Sequence, residues 1–301
     1  MLLTALVVCI IQLPFDFFGG RVIEGNFRQI DVNSRYNWGQ AYLLGVAQWV
    51  VLLTIAGALV GWIGVAFPGN WPVIAAATVM LLAFAQLAIP IPPGPYARPG
   101  VARKPWMEQV RAELTRQKLV APKIAFYEHG ERSLAGGWSG VGPTRMLWVA
   151  RTLWEVAPRT TAALIARELG HLRMGHRWLS FFSTVAWTVF GFILANMILP
   201  ARWQDNAASL VFALSAVMST WCWISLLFVF PAMGRWQVYS ADAAMLEAGF
   251  TLDEALAALN LLSERNKPDE TLPPGIAFVF HPIPPMKARR DAIVKLSEGG
   301  V

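Results

Sequence analysis

Residues 160–177, TTAALIARELGHLRMGHR, place an Arg-Glu-x-x-His group on a predicted helix. Its apolar side carries Ala163, Leu164 and Leu169, and its other side carries Arg167, Glu168 and His171. Residues three apart are neighbours on a helix surface, so Glu168 and His171 address one site. The spacing is one residue away from H-E-x-x-H, in which two His four residues apart hold a zinc ion and the Glu between them acts as general base on the metal-bound water. Here Arg167 stands at the first His position, and that one difference governs which chemistry the group can support.

The rest of the chain sets where this helix can lie. Hydrophobic residues make up 55% of the 301 and charged residues only 15%, against about 25% charged in average globular chains. With 14 Trp and 17 Phe, this composition describes an integral membrane protein. Cys9 and Cys222 both lie in apolar runs, which argues against a disulfide framework and against a Cys-based zinc site. The net charge of +6 reads as the basic bias of loops on one side of a membrane, not as a nucleic-acid surface.

Residues 1–18 form an apolar stretch that reaches spanning length only by including Asp16. It lacks a basic leader and a small-residue cleavage site, so it is read as a first span and not as a signal peptide. Residues 20–40 are a charged membrane-proximal loop. Residues 41–67 and 71–91 form a hairpin of two spans turning at 68–70, and the Pro/Gly-rich 89–100 leads out of the membrane. Helical spacing of Trp106, Val110 and Leu114 predicts a helix over 104–119, and short strands are predicted at 123–127 and 146–149. After the motif helix, 178–199 and 207–232 form a second hairpin, and helices are predicted at 235–249, 252–264 and 285–297. Nearly all basic residues fall on one side of such a five-span arrangement, which the positive-inside rule makes the cytoplasm.

Four segments together resemble the membrane-embedded zinc metallopeptidases that include the CAAX prenyl endopeptidases and the bacterial heat-shock membrane protease. LPFDFFGGRVIEGNF (13–27) is similar to the N-terminal segment of the prenyl-endopeptidase branch. LIARELGHLRMGH (164–176) resembles the zinc helix, VYSADAAMLEAGF (238–250) the E-Y-x-A-D helix that supplies the third ligand, and HPIPPMKARR (281–290) the His-Pro and downstream Arg. The resemblance implies a mainly α membrane protein with about five transmembrane helices and a cytoplasmic α+β zincin-like domain with a small sheet. It divides the chain into a membrane region at 1–91, a first domain part at 92–177, a transmembrane hairpin at 178–232 and a second domain part at 233–301.

The departures from this pattern fall on the metal. Arg167 occupies the first ligand position and Val238 the third, which leaves His171 as the residual ligand. A catalytic zinc uses three protein ligands and a water, and a permanent guanidinium charge repels a dication. Glu168 is therefore read either as a general base or as an ion-pair partner of Arg167 or Arg173. Arg167 either bridges carboxylates such as Glu168 and Asp242 in place of the metal or extends to solvent. Asp242 and His281 are the possible substitute ligands, and His176, about 140° further round a continuous helix, faces elsewhere. By resemblance, Tyr239 and Arg289 correspond to groups that steady a tetrahedral intermediate. SLAGGWSG (133–140) corresponds to an edge strand that pairs with extended substrate, or is a plain glycine-rich hairpin. These readings predict a non-catalytic relative, with zinc in the family but none bound here, that binds a membrane protein or extended peptide beside the lipid bilayer. The alternatives are an active metalloendopeptidase with a rearranged site and an accessory subunit of a membrane complex.

Overall fold

The computed structural model describes residues 34–67, 69–88, 98–100, 104–120, 122–128, 137–150, 153, 156–200, 202, 206–266 and 283–299. The expected first span, the segment resembling 13–27 and His281 lie outside the described residues. The described residues are mostly helical with one small sheet. Helix α1 (Ser34–Ala66) turns through Gly69 and Asn70 into α2 (Trp71–Ala88). Strand β1 (Arg98–Gly100), helix α3 (Lys104–Arg116), strands β2 (Ile124–Glu128), β3 (Gly137–Ser139) and β4 (Met146–Ala150), and the motif helix α4 (Pro158–Arg173) follow. Then come α5 (His176–Ile198), α6 (Ala207–Ile224), α7 (Phe230–Glu247), α8 (Leu252–Asn266) and α9 (Met286–Glu298). Helix α1 begins at Ser34, so part of the expected charged loop is helical.

The described part divides into two compact units. One holds the residues up to Leu82 with Thr184–Cys222, and the other holds Ala83–Ser183 with Trp223–Val301. Among the described residues, two helices are long and apolar enough to cross a membrane, His176–Ile198 and the continuous Ala207–Glu247. Only 17% and 31% of their most apolar windows are buried, which a core helix of a water-soluble domain would not tolerate. The helix that begins at Ala207 does not end with its apolar run near 232. It passes through a π-helical turn at Ser225–Val229 and runs on to Glu247. Pro231 offers no N–H to the ladder, and just before it the Phe230 N–H reaches five residues back to the Ser225 carbonyl.

In the first unit, Ile63, Trp71, Phe192 and Leu210 form the buried core. Trp187 and Trp221 stack with ring centroids 4.2 Å apart. The Trp221 indole N–H donates to the Trp187 carbonyl at 2.9 Å, and the Trp187 indole returns a longer bond of 3.5 Å to the Trp221 carbonyl. In a segment without water each polar group needs such a protein partner.

In the second unit the sheet order is β1-β2-β4-β3. Strand β2 runs parallel to β4, and β1 and β3 pair antiparallel at the two edges. The register sets Trp138 opposite Leu147 and Ser139 opposite Met146. Val110, Leu114, Leu147, Ile165, Met245, Leu259 and Ile293 join α3, the sheet, α4, α7, α8 and α9 in one core. Gly170 lets α4 approach α7 closely: a Cβ there would stand 2.4 Å from the Ala244 Cβ.

Candidate functional site

The site grows from α4. Pro158 opens the helix near its N-terminus, where its missing N–H costs nothing, and Thr161–Ala166 and Gly170 are buried against the core. Arg167, Glu168 and His171 are left partly covered along the side that meets α7. Gly175, with φ +65°, ends the helix and α5 begins at His176.

Arg167 bridges two carboxylates. Its Nε donates to Asp242 Oδ1 at 2.8 Å and its Nη1 to Glu168 Oε1 at 2.6 Å. Asp242, on α7, is 1% exposed. It also receives Arg289 of α9, through Nε to Oδ2 at 2.7 Å and Nη2 to Oδ1 at 2.8 Å. Two guanidinium groups thus close around one buried carboxylate, a fixed arrangement of charge-assisted bonds. Val238, one turn before Asp242, is buried and apolar. Tyr239 is half-buried on the same helix and makes no hydrogen bond among the described residues.

Burial pushes the Glu168 carboxyl above its ordinary range despite the attraction of Arg167. Burial disfavours the charged Arg167 too, but Glu168 and Asp242 outweigh it and raise the guanidinium further. His171 is lowered to about 3 by burial first and by Arg167 second, so it is a neutral imidazole in water of ordinary pH.

The position of His176 corrects the sequence reading. It does not face away: the His171 and His176 Nδ1 atoms are 2.8 Å apart, and His176 Nε2 lies 3.2 Å from Ser240 Oγ. One continuous helix would turn His176 away, but Gly175 breaks it and the new helix returns His176 towards His171. Only one of the two Nδ1 atoms can carry the proton of this bond, so the pair consists of opposite donor and acceptor roles.

Zinc is the metal of the family that the motif resembles, and the described residues at the expected ligand positions do not fit it. Of the three expected ligand positions, one holds a guanidinium, one a valine and one a histidine engaged with its neighbour. Asp242 is occupied by two arginines. Among the described residues no group of three or more His, Cys, Asp or Glu is placed to hold a metal ion.

The edge strand remains attached to this helix. The Trp138 indole N–H of β3 donates to the main-chain carbonyl of Glu168 at 2.8 Å. The Trp148 indole N–H of β4 donates to Ser139 Oγ at 2.6 Å. Strand β3 pairs with β4 on one side, and no further strand covers its other side among the described residues. Sequence reasoning passed over Trp138, Ser240 and Arg159. Nothing in the local pattern marks them, because their partners lie 30 or more residues away.

The family model of Peptidase family M48 matches residues 135–296. No curated protein matches the chain. Among solved structures, the crystal structure of S. mikatae Ste24p is similar with a TM-score of 0.76 at 15% identity, over 97% of this chain and 74% of that one. At that identity the likeness concerns the fold.

Proposed function

The chain belongs to peptidase family M48, the membrane metallopeptidases, and from that premise we propose that it is a non-catalytic relative that binds extended segments of membrane proteins or peptides. The observation that carries this reading is the Arg167 guanidinium held between Asp242 and Glu168 at 2.8 and 2.6 Å. A zinc-activated water needs a dication and a free carboxylate beside it. Here a fixed cation of single charge takes the central place, and the general-base position, Glu168, is tied to it. Two unit positive charges about 4 Å apart repel by several kcal/mol even at an effective dielectric near 20, and a dication meets more.

What the arrangement retains is the means of holding a peptide. Main-chain pairing with an added strand needs an open sheet edge and no particular side chain. Strand β3 supplies that edge, seated on α4 through Trp138. The soluble unit belongs on the cytoplasmic side in this reading, supported by the clustering of basic residues around it.

The test is zinc content per chain in detergent-purified protein, beside the Arg167→His/Val238→Glu double variant. The expected result is near-zero zinc in the native chain and uptake by the variant. About one zinc per native chain, with cleavage of an unfolded membrane substrate that Glu168→Gln abolishes, would replace this reading with an active peptidase of rearranged site.

A further inference from the structure

The end of α2 and the start of α5 bring four aromatic rings together. Phe84 stacks on Trp178 at 6.4 Å and meets Phe181 edge-on at 6.3 Å. Trp178 stacks on Phe182 at 5.9 Å, and Phe181 meets Phe182 at 5.2 Å. Such a cluster in a water-soluble core would be covered, yet Phe84 is 43%, Trp178 38% and Phe182 60% exposed. The neighbouring Arg177 is fixed by main chain. Its Nη2 donates to the Leu87 carbonyl at 2.6 Å, near the C-terminal end of α2, and its Nη1 to the Gly140 carbonyl just past β3.

Three observations say what covers these rings. The apolar surface continues from them along α5 through exposed Phe190, Ile193 and Met197, on a helix long and apolar enough to cross a membrane. From Trp178 to Ile198 the helix rises about 30 Å at 1.5 Å per residue, the thickness of a bilayer's hydrocarbon. The next charged residue is the exposed Arg202. The third observation is the fate of the indole N–H groups. Trp187 and Trp221 give theirs to each other's carbonyls, whereas that of Trp178 donates to no group among the described residues. An indole N–H that no protein group takes is not stable in hydrocarbon, whereas water or ester oxygens at the membrane surface satisfy it.

We propose that Phe84, Trp178, Phe181 and Phe182 form a collar seated at the hydrocarbon–headgroup boundary of a lipid bilayer. The Trp178 indole donates to a lipid ester or interfacial water oxygen, and Arg177 lies on the headgroup side. The end of α4 at Arg173 then stands in water, so the Arg167–Glu168–Asp242 group lies outside the hydrocarbon. This surface is independent of whether the chain binds zinc.

The full chain in phosphatidylcholine nanodiscs tests it, with Cys9→Ser and Cys222→Ser as background and a nitroxide placed in turn at Arg173→Cys, Trp178→Cys, Phe182→Cys and Ile193→Cys. Accessibility is read as the ratio of collision with oxygen to collision with a water-soluble nickel chelate. The expected order is nickel-dominated at 173, intermediate at 178, leaning to oxygen at 182 and oxygen-dominated at 193. Phe182→Cys changes an exposed ring and keeps the test readable if Trp178→Cys disturbs folding. Nickel dominance at both 178 and 182 equal to that at 173 would place the rings in water, as a face for a soluble protein, and overturn the proposal. Oxygen dominance at 178 equal to that at 193, or nickel dominance at 193, would overturn it as well.

Discussion

Asp242 is the residue on which the charges of the site converge. Its side chain is 1% exposed and faces two guanidinium groups, one of them only 5% exposed. Replacing it by Asn leaves the buried Arg289 without a counter-charge, and breaking a buried pair from one side costs about 3–5 kcal/mol. Asp242→Asn is therefore expected to lower the thermal midpoint of the purified protein markedly. Arg167→Met, which leaves Asp242 still paired with Arg289, is expected to lower it less. Equal losses would show that Arg289 alone does not compensate Asp242 when Arg167 is removed. The presence of Arg167, Glu168 and His171 on one helix was legible from spacing alone. The pairing of Asp242 with Arg289 was not, because 47 residues separate them in the chain and no periodicity relates α7 to α9.

At the scale of elements, α4 is held at its start as well as at its site. Arg159, in its first turn, pairs with Glu113 of α3 at 2.5 Å and with Glu254 of α8, and lies 5.5 Å from the centre of the Phe250 ring. The hydrogen bond from Arg159 is the main cause that holds the Glu254 carboxyl below its ordinary range. A carboxyl depressed in the folded state contributes stability that is fully present above its unfolded value near 4.5 and is lost as pH falls through the lower folded value. The thermal midpoint is thus expected to fall between about pH 4.5 and more acidic conditions, and Arg159→Gln is expected to flatten that fall. An unchanged pH slope in Arg159→Gln would remove Arg159 as its source. The elements themselves were largely legible: Trp106, Val110 and Leu114 mark the buried side of α3, and β2, β4, α8 and α9 lie within a few residues of their expected positions. What escaped were breaks in phase. Gly175 restarts the helix and turns His176 back, and the π turn at Ser225–Val229 lets one helix continue where an apolar run ends.

At the scale of the molecule, the M48 family is zinc-dependent, and a structural dependence on metal shows as loss of stability on its removal. Arg167 and Arg289 close around Asp242 in the second unit, so the charges of the site are balanced by groups the chain itself carries. A strong zinc chelator is expected to leave the thermal midpoint of the native protein unchanged and to lower that of zinc-loaded Arg167→His/Val238→Glu. A drop in the native chain would mean that metal contributes to its fold. The described residues cluster into two compact units whose bounds, at Leu82, Thr184 and Cys222, no sequence signal marks. Nor does one mark the sheet order, since the pairing of β2 with β4 across β3 depends on contacts that no local pattern encodes.

The bond from Trp138 reaches the main-chain oxygen of residue 168, not its carboxylate. Every amino acid at that position presents the same oxygen. Mutation can therefore strip the motif of its acid–base chemistry without unseating the strand beside it. The seat of the strand is thus written in the backbone, and any residue type at 168 leaves it in place.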